Sequence, residues 1–246
     1  NLINHVKPLA EFDIKTLEDL DSMGIKLGEV DGHIHLLTKD VPIDAQKFCI
    51  VDIETNGCSL QDGHIIEIGA VMFQNGEIIG EFNSLIHFQN LSEIIIGLTG
   101  ITDEMLKTAP SEISVLEKFR LFLRDAVFVA HNVEFDFWFI SNAYTKNNLP
   151  PLLNRRLCTI DLARKTIEAP KYGLSFLREM LNITEGGVHR GLWDAKSAAV
   201  VFEQSLRNLP EEIKTTEELI SFSKFNQKKK KIKEQKKLPF TEEEKA

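Results

Sequence analysis

The chain has 246 residues, 43% of them hydrophobic, and a formal net charge of −8. This length permits one or two domains with a genuine core, and its longest apolar runs are too short to span a membrane. A generic nucleic-acid binder would be basic overall. Here the positive charge is concentrated instead: residues 224–237 carry eight lysines and one glutamate, a charge of +7, which leaves −15 on the remainder. No secretory signal is visible at the N-terminus, although Asn1 suggests a missing native start. Cys49, Cys58 and Cys158 read as free thiols of a reducing cytoplasm.

In chain order, residues 1–45 form an extension ahead of the main domain. Thr16 to Met23 reads as a short helix with Leu17, Leu20 and Met23 on one side. Ile25, Leu27, Val30, Ile34 and Leu36 flank Asp31-Gly32, a strong hairpin signal. A helix followed by a hairpin fits a winged-helix remnant or a small cap on the main domain, and the cap is favoured. His33 and His35 near Asp31 read as alternating residues of an exposed face rather than metal ligands.

The main domain, residues 46–208, shows strand patterns at 47–54, 64–73 and 77–88, the last two joined by the turn Gln74-Asn75-Gly76. Then come a helix at 112–124, a strand at 127–130, a helix at 133–148 and a strand at 155–158. Helices at 160–168, 174–182 and 191–207 close the domain. Strands followed by alternating helices and strands predict an α/β fold, a mixed β-sheet flanked by helices. Residues 209–225 read as a C-terminal helix, and 226–246 as a disordered basic tail.

Three acidic segments stand out. The apolar run from Phe48 reads as a buried strand, yet Asp52 and Glu54 interrupt it on one face. Two buried carboxylates repel each other and are expensive to desolvate. A divalent cation, Mg²⁺ or Mn²⁺, resolves both problems. Alternatively, Glu54 ends the strand and Thr55-Asn56-Gly57 is a solvated turn. The second segment runs from Val127 to Phe137. Asn132 is placed to N-cap the helix, with Asp136 in its first turn, where a helix-dipole role would also explain it. The third is Gly187 to Ala195, where loop residue His189 lies five positions before Asp194, in the first turn of a helix. Histidine titrates near neutral pH and suits proton transfer, but a surface histidine fits the same loop.

In this order the segments resemble the DEDD-type 3′→5′ exonucleases of the histidine branch, over about residues 46–208. Asp52, Glu54, Asp136 and Asp194 match that family's four acids, and His189 matches its general base. The segments Gly100 to Met105, Cys158 to Arg164 and Tyr172-Gly173-Leu174 also fall where the family's secondary markers do. Gly191, where alanine is common, and Trp193, where smaller or polar residues are usual, depart from the pattern and bear on substrate preference.

The resemblance implies a ribonuclease H-like fold and hydrolysis of phosphodiester bonds assisted by two divalent metal ions. Asp52 would bridge both ions, Glu54 and Asp194 would complete one site, and Asp136 would serve the other. His189 would take the proton of the attacking water. Thr55, His131 and Asn132 become candidate contacts to the 3′-terminal nucleotide. Phe137 or Leu98 would wedge against its base, although core packing for Phe137 and a loop anchor for Leu98 fit equally. The implied setting is the bacterial cytoplasm. The implied role is that of an epsilon-like proofreading subunit acting on single-stranded DNA 3′ ends beside a polymerase catalytic subunit. A free-standing DNA or RNA exonuclease is the alternative, and a protein that merely tethers a polymerase to its clamp is another. The stretch Gln235-Lys236-Lys237-Leu238-Pro239-Phe240 resembles sliding-clamp-binding peptides, in which Gln235, Leu238 and Phe240 would be the anchors.

Overall fold

The computed structural model describes residues 17–224 except 32, 60, 61, 185, 187 and 188. The tail and its clamp-like peptide, the first 16 residues, and Gly32, Gly187 and Val188 lie outside the described residues. A short helix α1 (Leu17–Ser22) precedes a two-stranded antiparallel ribbon, β1 (Leu27–Val30) and β2 (His33–Leu36), closed by Asp31 at φ 51°. Met23 is buried, and its carbonyl accepts from the Leu153 amide. The Arg120 guanidinium donates to the carbonyls of Ser22, Pro150 and Pro151. This extension is therefore stitched to the main body through backbone groups.

The body is a five-stranded mixed sheet in the order β5-β4-β3-β6-β7, built from β3 (Phe48–Thr55), β4 (Ile65–Gln74), β5 (Glu77–Leu85), β6 (Val127–Ala130) and β7 (Arg156–Cys158). The strands β3, β4 and β5 are antiparallel, whereas β6 and β7 run parallel to β3. Asn75 and Gly76 both take positive φ, 51° and 80°, as a tight primed turn between β4 and β5 requires. Strands β3, β4 and β6 are rich in β-branched and aromatic residues buried on both faces, which marks the middle of a covered sheet.

The alternation of β3 sorts its side chains. Cys49, Val51 and Ile53 join one core with α4 (Glu112–Leu123) and α5 (Val133–Lys146). Phe48 and Ile50 join the opposite core with α6 (Thr159–Thr166), α8 (Gly191–Arg207) and α9 (Thr216–Ser223). There Phe48 and Phe202 meet at 4.9 Å between centroids with their planes tilted by 57°, and truncating a phenylalanine so placed costs about 3–5 kcal/mol. Asp52 and Glu54 belong by register to this second face, under the N-terminus of α8. Helix α7 (Leu174–Met180) packs beside α8.

Two helices were not expected, α2 (Glu93–Thr99) and α3 (Asp103–Lys107). Each is capped by a hydroxyl, with Ser92 accepting from the Ile95 amide and Thr102 from the Met105 amide. The C-terminal helix is shorter than its apolar pattern suggested. It spans Thr216–Ser223 and begins at a capping box formed by Thr215 and Glu218.

Candidate active site

The C-terminal end of β3 is where the candidate residues meet. Val51 pairs with Ala130 at the end of β6, so the loop after β6 lies beside Asp52 and Ile53. A cleft of about 220 Å³ opens there, lined by Asp52, Glu54, His131, Arg178, His189 and Asp194 among others.

Asp136 does not line the cleft. It is 4% exposed, and its Oδ1 accepts from the Ile53 amide at 3.2 Å, which places it directly behind β3. A carboxylate facing solvent at a helix start would be a dipole partner. This one is instead buried against the strand that carries Asp52. Burial pushes it up to about 8. Asp52 is raised well above the usual carboxylate range, first by burial and then by the charges of Asp136, Asp194, Glu54 and Glu67. Burial, with Asp194 and Glu67 adding to it, pushes Glu54 up to about 7. Asp194 is raised by burial, an effect opposed by the His189 amide and the Arg178 guanidinium.

This accumulation of negative charge is what a hard cation fits. Glu54, His189 and Asp194 each offer one ligand atom, and these atoms lie within 4.8 Å of one another. The donors are oxygen with one imidazole, a set suited to Mg²⁺ or Mn²⁺.

His189 and Gly186 are each held by a neighbour on α8. His189 sits at φ 58°, and its amide donates to Asp194 Oδ2 at 2.9 Å. Gly186, at φ 82°, lies so close under the Trp193 ring that an added Cβ would approach it to 2.4 Å. Trp193 therefore packs outside the cleft, on Gly186 and under Lys196, whose Nζ is 4.7 Å from the ring centre. The departure at Gly191 has a steric side as well: a Cβ there would meet the Gly69 amide nitrogen at 2.9 Å and the Asp52 carbonyl at 3.1 Å.

The remaining candidates separate. His131 lines the cleft, but both ring nitrogens are engaged, Nδ1 with the Thr159 hydroxyl and Nε2 with the Tyr172 carbonyl, each at 2.8 Å. Nε2 must donate to the carbonyl, so Nδ1 accepts from Thr159. Burial depresses the ring to about 4 and keeps it neutral. The Thr55 hydroxyl donates to the Gly57 carbonyl at 2.8 Å. Asn132 occupies the N-cap position of α5 but does not cap it. Its backbone is left-handed, φ 91° and ψ 58°, rather than extended as a capping residue's usually is, and the expected side-chain cap is absent. Phe137 is 4% exposed, edge-on to Phe128 at 5.3 Å, with the Arg156 guanidinium over its face. It is a core residue, and the base-wedge reading is corrected because a buried ring has no free face to stack. Leu98 is half-exposed on α2 and does not line the cleft.

Three residues went unnoticed in the sequence. Glu67, fully buried and opposite Glu54 in the ladder, binds the Arg190 guanidinium at 3.0–3.3 Å and accepts from the Gly191 amide at 3.0 Å, so it pins the start of α8. Its position within Ile65-Ile66-Glu67-Ile68 is a signal of the kind that exposed Asp52. Arg178 and Ser197 carry no such signal, since each resembles an ordinary polar residue on a helix.

The family model described as Exonuclease matches residues 49–202. The chain belongs to the exonuclease family. Its acids and its histidine thus sit on a nuclease scaffold that hydrolyses phosphodiester bonds. Among curated relatives, the DNA polymerase III PolC-type of Staphylococcus aureus (strain bovine RF122 / ET3-1) is 37% identical over 175 residues. That match covers 70% of this exonuclease chain but only 12% of the relative. Solved structures share the fold. Exonuclease X in complex with 5′ overhanging duplex DNA aligns with a TM-score of 0.53 and 23% identity, over 72% of this chain and 99% of that one. The nuclease domain of 3′hExo, a DEDDh family member bound to rAMP, gives 0.58 and 22%, over 66% and 92%. E. coli exonuclease I in complex with a dT13 oligonucleotide gives 0.59 and 18%, over 64% and 40%. No helix among the described residues is long and apolar enough to cross a membrane.

Proposed function

We propose that this exonuclease removes nucleotides from DNA 3′ ends with the help of divalent cations and serves proofreading during replication. One observation carries the reading: Asp52, Glu54, His189 and Asp194 converge on a single cleft, with Asp136 bonded to the strand behind it. Glu54, Asp194 and His189 offer the nearest ligand atoms, and Asp52 and Asp136 add the charge that favours a second cation. When bound, a pair of such cations would activate the attacking water and stabilise charge on the leaving oxygen. His189, next to the cleft on a loop held by Asp194, is placed to take the water's proton; its role as ligand or base is decided by which neighbour it faces once DNA is bound. Asp136 fixes the end of β3 through the Ile53 amide and so aims Asp52. Neutral His131, with Thr55 and Asn132 near the same strand ends, borders the path of the terminal nucleotide.

The PolC-type relatives favour a polymerase catalytic partner and a bacterial cytoplasmic setting. The exonuclease domain at 46–208, with flanking 1–45 and 209–225, is part of the same proposal. The clamp-binding role of Gln235, Leu238 and Phe240 rests on the sequence alone.

The test is degradation of a 3′-labelled single-stranded oligonucleotide with Mn²⁺ or Mg²⁺. Wild type should shorten it from the 3′ end, EDTA should stop the reaction, and Asp52→Ala should be inactive. Near-normal hydrolysis by Asp52→Ala would overturn the assignment. Co-purification with a polymerase catalytic subunit checks the proofreading role.

A further inference from the structure

Arg178 brings a positive charge into a cleft otherwise dominated by carboxylates. Its side chain is 9% exposed, yet it lines the cleft. One terminal nitrogen lies 3.3 Å from Asp194 Oδ1 and 2.5 Å from the Ser197 hydroxyl, and the other reaches the Gly186 carbonyl at 3.4 Å. The Ser197 hydroxyl passes its own proton to the Trp193 carbonyl at 2.8 Å, so it accepts from the arginine. The guanidinium is thus braced between α7, the His189 loop and α8.

The geometry points to Arg178 as a resident counter-ion of Asp194: a positioning residue that holds this carboxylate and the His189 loop before a cation arrives, and weakens cation binding while doing so. The inference rests on the metal-dependent reading of the site. Two effects oppose each other. A partner that orients a metal ligand is worth about 10–100-fold in affinity or activity. Repulsion between a divalent cation and a guanidinium sharing one carboxylate exceeds a tenfold effect, even at an effective dielectric constant of about 20. Orientation survives the loss of Arg178 in part, because Asp194 Oδ2 keeps the His189 amide at 2.9 Å. The charge effect therefore wins for binding. Turnover, which needs the loop in place, suffers.

The experiment is Mn²⁺ titration of the metal-free protein by calorimetry, alongside oligonucleotide hydrolysis and thermal melting in EDTA. Arg178→Met should bind Mn²⁺ about tenfold more tightly than wild type while kcat falls about tenfold. A purely structural loss would lower both. Arg178→Lys keeps the charge and loses the planar fork, so its Mn²⁺ affinity should stay near wild type while kcat still drops. Equal or weaker Mn²⁺ binding by Arg178→Met overturns the counter-ion role. Should that variant not fold in EDTA, the double change Arg178→Met with Asp194→Asn decides: removing both charges should restore folding, and a double variant that also fails makes Arg178 a plain structural residue. Wild type that binds Mn²⁺ yet degrades no oligonucleotide would defeat the nuclease reading and not this one.

Discussion

Asp52 is buried among Asp136, Asp194, Glu54 and Glu67, and this sets a pH dependence whose sign can be worked out. Glu54 and Asp136 are raised, to about 7 and about 8, above the values such groups have in an unfolded chain. A raised carboxylate binds its proton more tightly in the fold. Its contribution to stability is therefore complete at acid pH below the unfolded value and is lost as pH rises through the folded one. Metal-free protein should lose melting temperature between about pH 4 and pH 8 from these groups. Asp52→Asn should flatten that loss and melt higher than wild type at pH 9 in EDTA. Saturating Mn²⁺ should reverse the order, because a cation that binds only the folded state stabilises it. Melting curves of both proteins across pH, with and without Mn²⁺, check this. His189→Ala should lower kcat by about 10²–10⁴-fold with oligonucleotide binding largely spared. A kcat within a few-fold of wild type in this variant would take the base role from His189. Asp52 and Glu54 were legible because polar residues interrupt an otherwise apolar strand, whereas Asp136 and Asp194, each in the first turn of a helix, stood out only through the family resemblance. Arg178 was not, since a helix-surface arginine and a buried one look alike until tertiary packing decides.

Helix α8 shows how an element delivers a residue. Ala195, Ala198 and Ala199 are buried and small, so the helix lies close on the sheet. The tightest approach is at Gly69 of β4, where an added Cβ would come within 2.0 Å of the Gly191 carbonyl carbon and the Leu192 nitrogen. Both atoms are backbone and cannot rotate away. Gly69→Ala should lift the start of α8, losing more than the 1–3 kcal/mol typical of overpacking, and should displace Asp194. Activity should fall along with melting temperature. A Gly69→Ala protein with wild-type stability and kcat would show that the helix is not so constrained. The strands β3, β4 and β5, the hairpin that joins the last two and the span of α8 were readable from apolar runs, from the Asn75-Gly76 turn and from helical spacing. Helices α2 and α3 were not. In α2 the run Ile94-Ile95-Ile96 has no helical period, Ile94 is 81% exposed, and the helix owes its ends to Ser92 and to Gly100 in a left-handed conformation. Such short helices depend on caps and tertiary contacts more than on a pattern.

Across the whole molecule, segments from opposite ends of the described chain are tied together far from the cleft. Pro42 forms an isolated bridge with Thr215, the Ile43 amide donates to the Lys214 carbonyl, and the Thr216 amide donates to that of Val41. Glu217 is the charged centre of this seam. Its carboxylate takes two hydrogen bonds from the Arg155 guanidinium at 2.5–2.6 Å and one from the Thr38 hydroxyl at 2.7 Å. The paired side chains are 29% and 18% exposed, so the pair is neither fully buried nor freely solvated. Its Arg155 and Thr38 bonds hold Glu217 below the usual carboxylate range against the opposing effect of burial. Beneath it, Leu219 and Ile220 join the core that includes Phe48 and Phe202. Removing one partner of a fully buried pair costs about 3–5 kcal/mol, and partial exposure reduces that, so Glu217→Ala should cost about 1–3 kcal/mol. The lowered carboxylate gives this contribution the opposite pH sign from the cleft: it is present above the unfolded value and lost as pH falls through the folded one. Glu217→Ala should therefore matter at pH 7 and matter less near pH 3, while kcat on a short oligonucleotide stays at the wild-type value. Denaturant melts at both pH values, paired with hydrolysis rates, make the check. A fall in kcat without a fall in stability would mean that the seam communicates with the cleft rather than only holding the fold closed.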